Sequence, residues 1–353
     1  MKILAVYGTR PEYLKIKPLL TKSKGLIKSC HVKQHTDIID FGKPDYTITL
    51  YKNCKSRLNN VFGEIFLKTE DIYKNFDAVL VQGDTATVAA SAISAFNLNK
   101  TLIYLESGLR TNNIKDPFPE EGYRQMVSRI ANINFCPTSY SASKLHAEQI
   151  KGKIHVVGNT VLDNIKKHRS NTSYGNSCLI TLHRNENLNI LDLWLNEIER
   201  FAFNHPEIEF IFPAHPNPVI LKACENLKKI KVVKPLQHRN LIDLLKKCKF
   251  VITDSGGIQE EGCFLNKKII VCRKTTERPE GIPTGHIEMC ENPKNLYKKI
   301  EKVNDNFIIV ECCPYGNGTA SEKILNILNI NVEMRLYNWM FWVYVLLRNK
   351  TSS

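Results

Sequence analysis

Carboxylates, histidines and arginines recur in this sequence within short glycine- and proline-containing blocks, each placed after an apolar run. Leu105-Glu106-Ser107-Gly108-Leu109-Arg110-Thr111 is followed by Pro117-Phe118-Pro119-Glu120-Glu121. Two carboxylates on separate elements, Glu106 and Glu120, suit proton transfer, because different surroundings can split their acidities. Glu120 and Glu121 equally fit the first turn of a helix, where negative charge complements the dipole. Gln82-Gly83-Asp84-Thr85 closes another apolar run, and Asp84 can face a ligand or cap the next helix. Gly8-Thr9-Arg10-Pro11-Glu12, with Lys15 and Lys17 beyond it, offers an anion a tight turn, a helix start and cations, or is a plain strand-to-helix turn.

The second half carries its own blocks. Thr181-Leu182-His183-Arg184-Asn185-Glu186 and Phe212-Pro213-Ala214-His215-Pro216 place histidines after two apolar runs. A single histidine there reads as structural; a pair in polar company reads equally as functional. Thr253-Asp254-Ser255-Gly256-Gly257-Ile258-Gln259-Glu260-Glu261 is the sharpest stretch. Backbone N–H groups at Ser255, Gly256 and Gly257 can cradle a diphosphate, and Glu261, one helical turn on, can hold ribose hydroxyls. Arg273-Lys274 and Arg278 add cations.

Such residues need strand ends to hold them. Short Val- and Ile-rich runs alternate with longer helix-like segments: Lys2–Tyr7, Ala78–Val81, Thr101–Leu105, Ile133–Cys136 and Ile154–Val157, then Cys178–Thr181, Glu209–Phe212, Ile230–Val233, Phe250–Thr253 and Lys268–Cys272. Continuous apolar strands separated by helices predict parallel α/β sheets. Helices are expected over Thr87–Leu98, Gly122–Ala131, Leu188–Asn204 and Asn240–Cys248. The polar stretch after Ile165 breaks the rhythm and reads as a linker over 166–177. The expectation is two Rossmann-like, doubly wound domains, 1–165 and 178–330, with ligands at the carboxyl ends of the strands in a central cleft, and a tail over 331–353.

The 353 residues fit about two domains. With 43% apolar and 24% charged residues the chain is neither disordered nor fibrous. Its formal net charge of +14 invites a polyanion, but much of it sits in scattered lysine pairs that suit a solvated surface. The 11 cysteines contain no C-x-x-C pair, and Cys136, Cys178, Cys248, Cys263 and Cys272 adjoin apolar runs. That pattern argues for free core thiols, a reducing compartment and no structural zinc. Ile3–Tyr7 is too short for a leader, and Leu336–Leu347 falls short of the roughly 18 residues of a spanning helix. A cytoplasmic protein without stable membrane insertion is expected.

Taken in order, GTRPE (8–12), GDT with Asp84, ESGLRT (106–111), PFPEE (117–121), GNTVLD (158–163), HRNEN (183–187), DSGGIQEE (254–261), TTERPE (275–280) and PYGNG (314–318) resemble the non-hydrolysing UDP-N-acetylglucosamine 2-epimerases. Each block alone is weak; the ordered set, running from residue 1 to about 330, is very specific. The resemblance implies a glycosyltransferase-B fold. It implies that Arg10, Lys15, His183, Ser255, Gly256, Gly257, Glu261 and Arg278 hold UDP. It implies that Asp84, Glu106 and Glu120 form the acid–base set, with His183 near the departing diphosphate. The reaction it implies is anti-elimination of UDP to a glycal and re-addition after C2 is reprotonated on the other face. No metal or other cofactor is required by that route, and a homodimer is implied.

The chain departs from the family where Tyr104 and Asn185 stand in place of the usual His and Arg. The segment from Gln34 to Tyr46 is short, and Cys54 and Lys55 replace the Arg and Gln of a second, allosteric UDP-sugar site, which predicts weak or absent activation by substrate. The aromatic and basic tail, with Trp339, Phe341 and Trp342, is expected to pack on the body or on a partner chain; an interfacial helix is the other reading. Three rivals stand beside the epimerase: a hydrolysing relative, a glycosyltransferase on the same fold, and a basic nucleic-acid binder, which lacks any recognised motif.

Overall fold

The computed structural model describes residues 1–33, 42–51, 55–305, 308–309 and 311–330. The Gln34–Asp37 segment, Cys54 and the tail after residue 330, on which the regulatory and membrane expectations rest, lie outside the described residues.

The chain divides into two compact units, one of Met1–Gly108, Ile114–Thr160 and the segment beginning at Thr319, the other of Leu109–Asn113 and Val161–Gly318. The first holds a 7-stranded sheet: β1 (Ile3–Tyr7), β2 (Ile27–Lys33), β3 (Tyr46–Thr49), β4 (Ala78–Gln82), β5 (Thr101–Leu105), β6 (Ile133–Cys136) and β7 (Lys153–Val156). The second holds a 6-stranded sheet: β8 (Ser177–Thr181), β9 (Glu209–Pro213), β10 (Ile230–Val233), β11 (Phe250–Thr253), β12 (Lys268–Val271) and β13 (Ile287–Met289). Every strand pair is parallel. Two Rossmann-like α/β units are therefore present, as expected.

Strand order decides where chemistry can sit. The first sheet runs β3-β2-β1-β4-β5-β6-β7 and the second β10-β9-β8-β11-β12-β13. In each, the winding reverses at one pair: β1 with β4, and β8 with β11. Chains leaving the carboxyl ends of such a pair diverge to opposite faces and leave a crevice. The loops at these crevices are Gly8-Thr9-Arg10 and Gly83-Asp84 in the first unit, Leu182-His183-Arg184 and Asp254-Ser255-Gly256 in the second.

Both sheets are buried on two faces. Leu4, Val6, Val79 and Val81 pack on one side of the first sheet, and Ile3, Ala5, Tyr7 and Leu80 on the other. In the second, Ile180, Phe210 and Ile252 face one cluster while Leu179, Val251 and Ile269 face another. The five thiols expected in the core are free and buried.

The polar stretch after Ile165 opens as a 3-10 helix, Lys166–Asn171, on the second unit, where the Arg169 guanidinium lies 5.0 Å over the Phe264 ring. Its polar composition conceals that anchor. The helix Ala320–Ile327, expected in the second domain, belongs to the first: Ile324, Leu325 and Leu328 join the cluster of Ile16, Leu19 and Ile103. Among the described residues no helix is long and apolar enough to cross a membrane, and no group of side chains is placed to hold a metal ion.

Candidate active site

In the first unit, β1 ends in a turn that feeds the helix Arg10–Lys22. Glu12, only 2% exposed, folds back over that turn. Its Oε2 accepts the amides of Gly8 at 2.6 Å and Thr9 at 3.1 Å, and its Oε1 accepts the Thr85 hydroxyl at 2.5 Å. The turn's own carboxylate therefore occupies these amides, and the Gly8 turn is not an open backbone cradle. Burial outweighs the donors and pushes the Glu12 carboxyl up to about 7. Arg10 stays exposed, beside this turn.

Glu106 follows β5 at φ 61°, a left-handed conformation that a glutamate adopts at a cost of about 1 kcal/mol or more. Gly108, at φ 90°, lets the same loop press against Ser141, whose carbonyl oxygen would lie 2.2 Å from an added Cβ. The Glu106 carboxylate, 7% exposed, accepts from Lys15 Nζ on both oxygens at 2.5 Å, from Gln82 Nε2 at 2.5 Å and from Asn159 Nδ2 at 3.0 Å. All three neighbours donate, which suits a group that must offer lone pairs. Lys15, expected on UDP, is here the partner of Glu106.

Asp84 leaves β4, the neighbour of β5, so the two acids rise from adjacent strand ends about 5 Å apart. Arg124, from the helix Glu120–Ile130, holds Asp84 Oδ2 through Nε at 2.8 Å and Nη2 at 2.6 Å, and also reaches Glu121 Oε2 at 3.2 Å. The Tyr104 hydroxyl donates to Gly83 O at 2.9 Å and steadies the peptide before Asp84. Glu120 opens Arg124's helix, four residues earlier on the same face, which puts it about one turn from the Asp84 contact. Its Oε2 is buried without a hydrogen-bond partner among the described residues. The three acids thus have three environments: amine and amide donors, a guanidinium, and an unfilled carboxylate oxygen.

In the second unit, Asp254 is fully buried at the end of β11. It accepts the amides of His183 at 3.0 Å and Arg184 at 2.9 Å and the Asn187 side chain at 3.0 Å, stapling the loop after β8 to the loop after β11. The His183 ring, 43% exposed on its side chain, has Nδ1 3.7 Å from Asp254 Oδ1. Partial burial lowers its pKa below the usual histidine value; Asp254 opposes this, and the charges of Arg184 and His215 add to it.

The helix Gly256–Phe264 begins without a side-chain cap. Its first amides are free of the competition found at Gly8, while Ser255 N is already given to Thr253 Oγ1 at 2.9 Å. A Cβ on Gly257 would meet nothing within 4 Å. A Cβ on Gly256 would lie 2.4 Å from Arg278 Nη1. Glycine there admits a guanidinium held by Glu260 (Nε to Oε1, 2.8 Å) and by Glu277. Arg273 shares Glu277 at 2.7 Å and reaches Glu186 at 2.8 Å. Tyr315 Oη donates to Arg278 O at 2.8 Å and accepts the Gly281 amide at 3.2 Å, fixing the backbone that carries Arg278. Glu261 Oε1 lies 2.7 Å from His238 Nε2.

The structure therefore brings Lys15, Asp84 and Glu106 together around the β1, β4 and β5 ends, with Glu120 at the start of the helix whose Arg124 holds Asp84 and Arg10 on the first turn of the helix after β1. It sets His183, Ser255, Gly256, Gly257 and Arg278 around the β8 and β11 ends. Sequence reasoning gave no role to Glu12, Gln82, Asn159, Asp254 or Tyr315, although each lies in a block it quoted. Arg124 and His238 lie in none.

A family model described as UDP-N-acetylglucosamine 2-epimerase matches residues 28–329. The chain belongs to the UDP-N-acetylglucosamine 2-epimerase family. A Campylobacter jejuni protein of that name is 36% identical over 372 residues, covering 93% of this chain and 97% of its own. One from Salmonella borreze is 35% identical over 368 residues, covering 92% and 97%. Among solved structures, the Neisseria meningitidis UDP-GlcNAc 2-epimerase bound to UDP-GlcNAc superposes with a TM-score of 0.84 at 31% identity, covering 94% of this chain and 100% of that one. Family membership fits the paired α/β units, and the ordered acids and the Ser-Gly-Gly helix start are the blocks through which the sequence resembled these epimerases.

Proposed function

We propose that the chain interconverts UDP-N-acetylglucosamine and UDP-N-acetylmannosamine, or a related UDP-2-acetamido sugar, without net hydrolysis. The observation that carries the reading is Glu106, held at a strained backbone position by Lys15, Gln82 and Asn159 beside the Asp84–Arg124 pair.

The C2 proton of the sugar is weakly acidic, so departure of UDP must lead. The Gly256 and Gly257 amides at an uncapped helix start, with Arg278 packed against Gly256, stabilise charge developing on the diphosphate. His183 stands by the leaving group, Arg10 adds a full charge, Ser255 lines the turn and Glu261 holds the ribose. Glu106 acts as base at one face of C2. Asp84, in contact with Arg124, and Glu120 serve the other face, because one carboxyl group cannot reach both sides of the ring. Lys15, bound to Glu106 in the free enzyme, is the further cation proposed to hold UDP. The enzyme is proposed to work in the cytoplasm as a homodimer, to which its buried free thiols and its family are suited; light scattering tests the latter.

Incubation with UDP-N-acetylglucosamine in D2O is expected to place deuterium at C2 of both epimers, followed by NMR, with no UDP accumulating in proportion to turnover. Stoichiometric UDP would establish the hydrolysing reaction instead. Retention of protium at C2 would sink both. Glu106→Gln is expected to abolish exchange at C2 while UDP still binds.

A further inference from the structure

Glu261 sits four residues after Gly257 on the helix Gly256–Phe264, hence on the same face and about 6 Å further along the axis. At the near end of that face a Cβ on Gly257 would meet only open space. At the far end Glu261, its side chain 5% exposed, gives Oε1 to His238 Nε2 at 2.7 Å. Its Oε2 has no hydrogen bond to a described residue and is not sealed from solvent. His238 itself is 19% exposed and begins the helix His238–Leu245. An ionised carboxylate only accepts, so its partner must bring O–H or N–H groups. A 5′-diphosphorylated ribose, anchored through phosphate at Gly257, presents two adjacent hydroxyls at a comparable separation.

We propose that His238 is a positioning residue that pins one oxygen of Glu261, so that the other receives the cis-diol of a ribonucleotide. This rests on the UDP reading above, in which Glu261 holds the ribose, and deepens it by naming the residue that holds Glu261 in place. A glutamate free to rotate would lose side-chain entropy on every binding event; a glutamate already held by His238 has lost it in advance. The pairing therefore acts on discrimination between ribo- and deoxyribonucleotides rather than on diphosphate affinity.

The test is isothermal titration of the full chain with UDP, 2′-deoxy-UDP and 3′-deoxy-UDP. The wild type is expected to bind UDP roughly 10- to 100-fold more tightly than either deoxy analogue, the usual range for a hydrogen bond to a charged group. His238→Phe should keep deoxy-UDP affinity within about threefold, which also reports an intact site, and lose most of the preference for UDP. His238→Gln, which retains an N–H donor, should restore a good part of it. An undiminished preference in His238→Phe, or no preference in the wild type, overturns the inference while leaving the nucleotide reading standing. Failure of the wild type to bind UDP overturns both.

Discussion

Replacing Glu12 with glutamine should change the slope of stability against pH, and the structure fixes the sign. Burial holds the Glu12 carboxyl at about 7 in the folded chain against 4.5 when exposed. The native state thus binds the extra proton between these values, and stability falls as pH rises from about 4.5 to 7, levelling above that. A shift of this size corresponds to roughly 3 kcal/mol, of which about 2.5 falls between pH 5 and pH 8. Glutamine does not titrate, but it sets an NH2 group against donors from Gly8, Thr9 or Thr85. One lost buried hydrogen bond costs about 1–2 kcal/mol. Glu12→Gln should therefore be less stable than wild type at pH 5 and equal or more stable at pH 8. Urea denaturation at pH 5, 6, 7 and 8 measures the difference. Hydrogen exchange at the Gly8 and Thr9 amides shows that it arises in the first unit, which matters because two units need not unfold in one step. A wild-type-minus-variant difference that stays constant across the series would mean that the three donors outweigh burial and that the reasoning is wrong.

Other tests are independent of that one. His286, fully buried between Thr284 and Asn266, is held down at about 4 by burial and by the Lys268 and Arg169 charges. Its contribution, roughly 3 kcal/mol, is lost as pH falls from about 6.5 to 4, and His286→Gln should remove that acid sensitivity in urea titrations. This slope opposes that of Glu12 over most of the same window, so each is visible only against its own variant. Gly256→Ala would drive a methyl group into the Arg278 guanidinium, and displacement of a packed, ion-paired side chain costs about 1–3 kcal/mol. UDP affinity measured by titration should fall roughly 10- to 100-fold. Initial rates of the reverse reaction should rise hyperbolically with UDP-N-acetylmannosamine; a sigmoidal curve that straightens on adding UDP-N-acetylglucosamine would show that Cys54 and Lys55 do not weaken activation.

The fold was legible where strands are buried on both faces. The strands Ala78–Gln82 and Phe250–Thr253 are continuous apolar runs up to their last residue, and burial on both sides demands that pattern. Ile27–Lys33 was not found, because Lys28, Ser29, His31 and Lys33 dilute it, although Cys30 and Val32 are fully buried. Tyr46–Thr49 and Ile287–Met289 are short edge strands with too few positions for a period to show. The site was legible as blocks but not as bonds. Glu106 and Asp84 announce themselves by following strands; that Arg124 serves Asp84 depends on a helix 40 residues later. The Gly8 turn reads equally as an anion site or as a plain strand-to-helix turn, because sequence cannot show that a glutamate four positions on folds back into it. His238 reaches Glu261, 23 positions further along the chain, with no local signal at all.

The helix Ala320–Ile327 has a bearing on how the protein is made. Ile324, Leu325 and Leu328 fill a core otherwise built from residues before 160, and side chains of this kind contribute about 1.5–3 kcal/mol each when buried. On the ribosome, the amino-terminal sheet must wait with one flank unsealed until residues 320–328 have emerged, while the carboxyl-terminal sheet, uninterrupted from Val161 to Gly318 apart from a five-residue contribution from Leu109–Asn113, can close sooner. Synthesis order and completion order are thereby reversed, and a nascent chain stalled before residue 320 should expose its first half to chaperones and proteases more than its second.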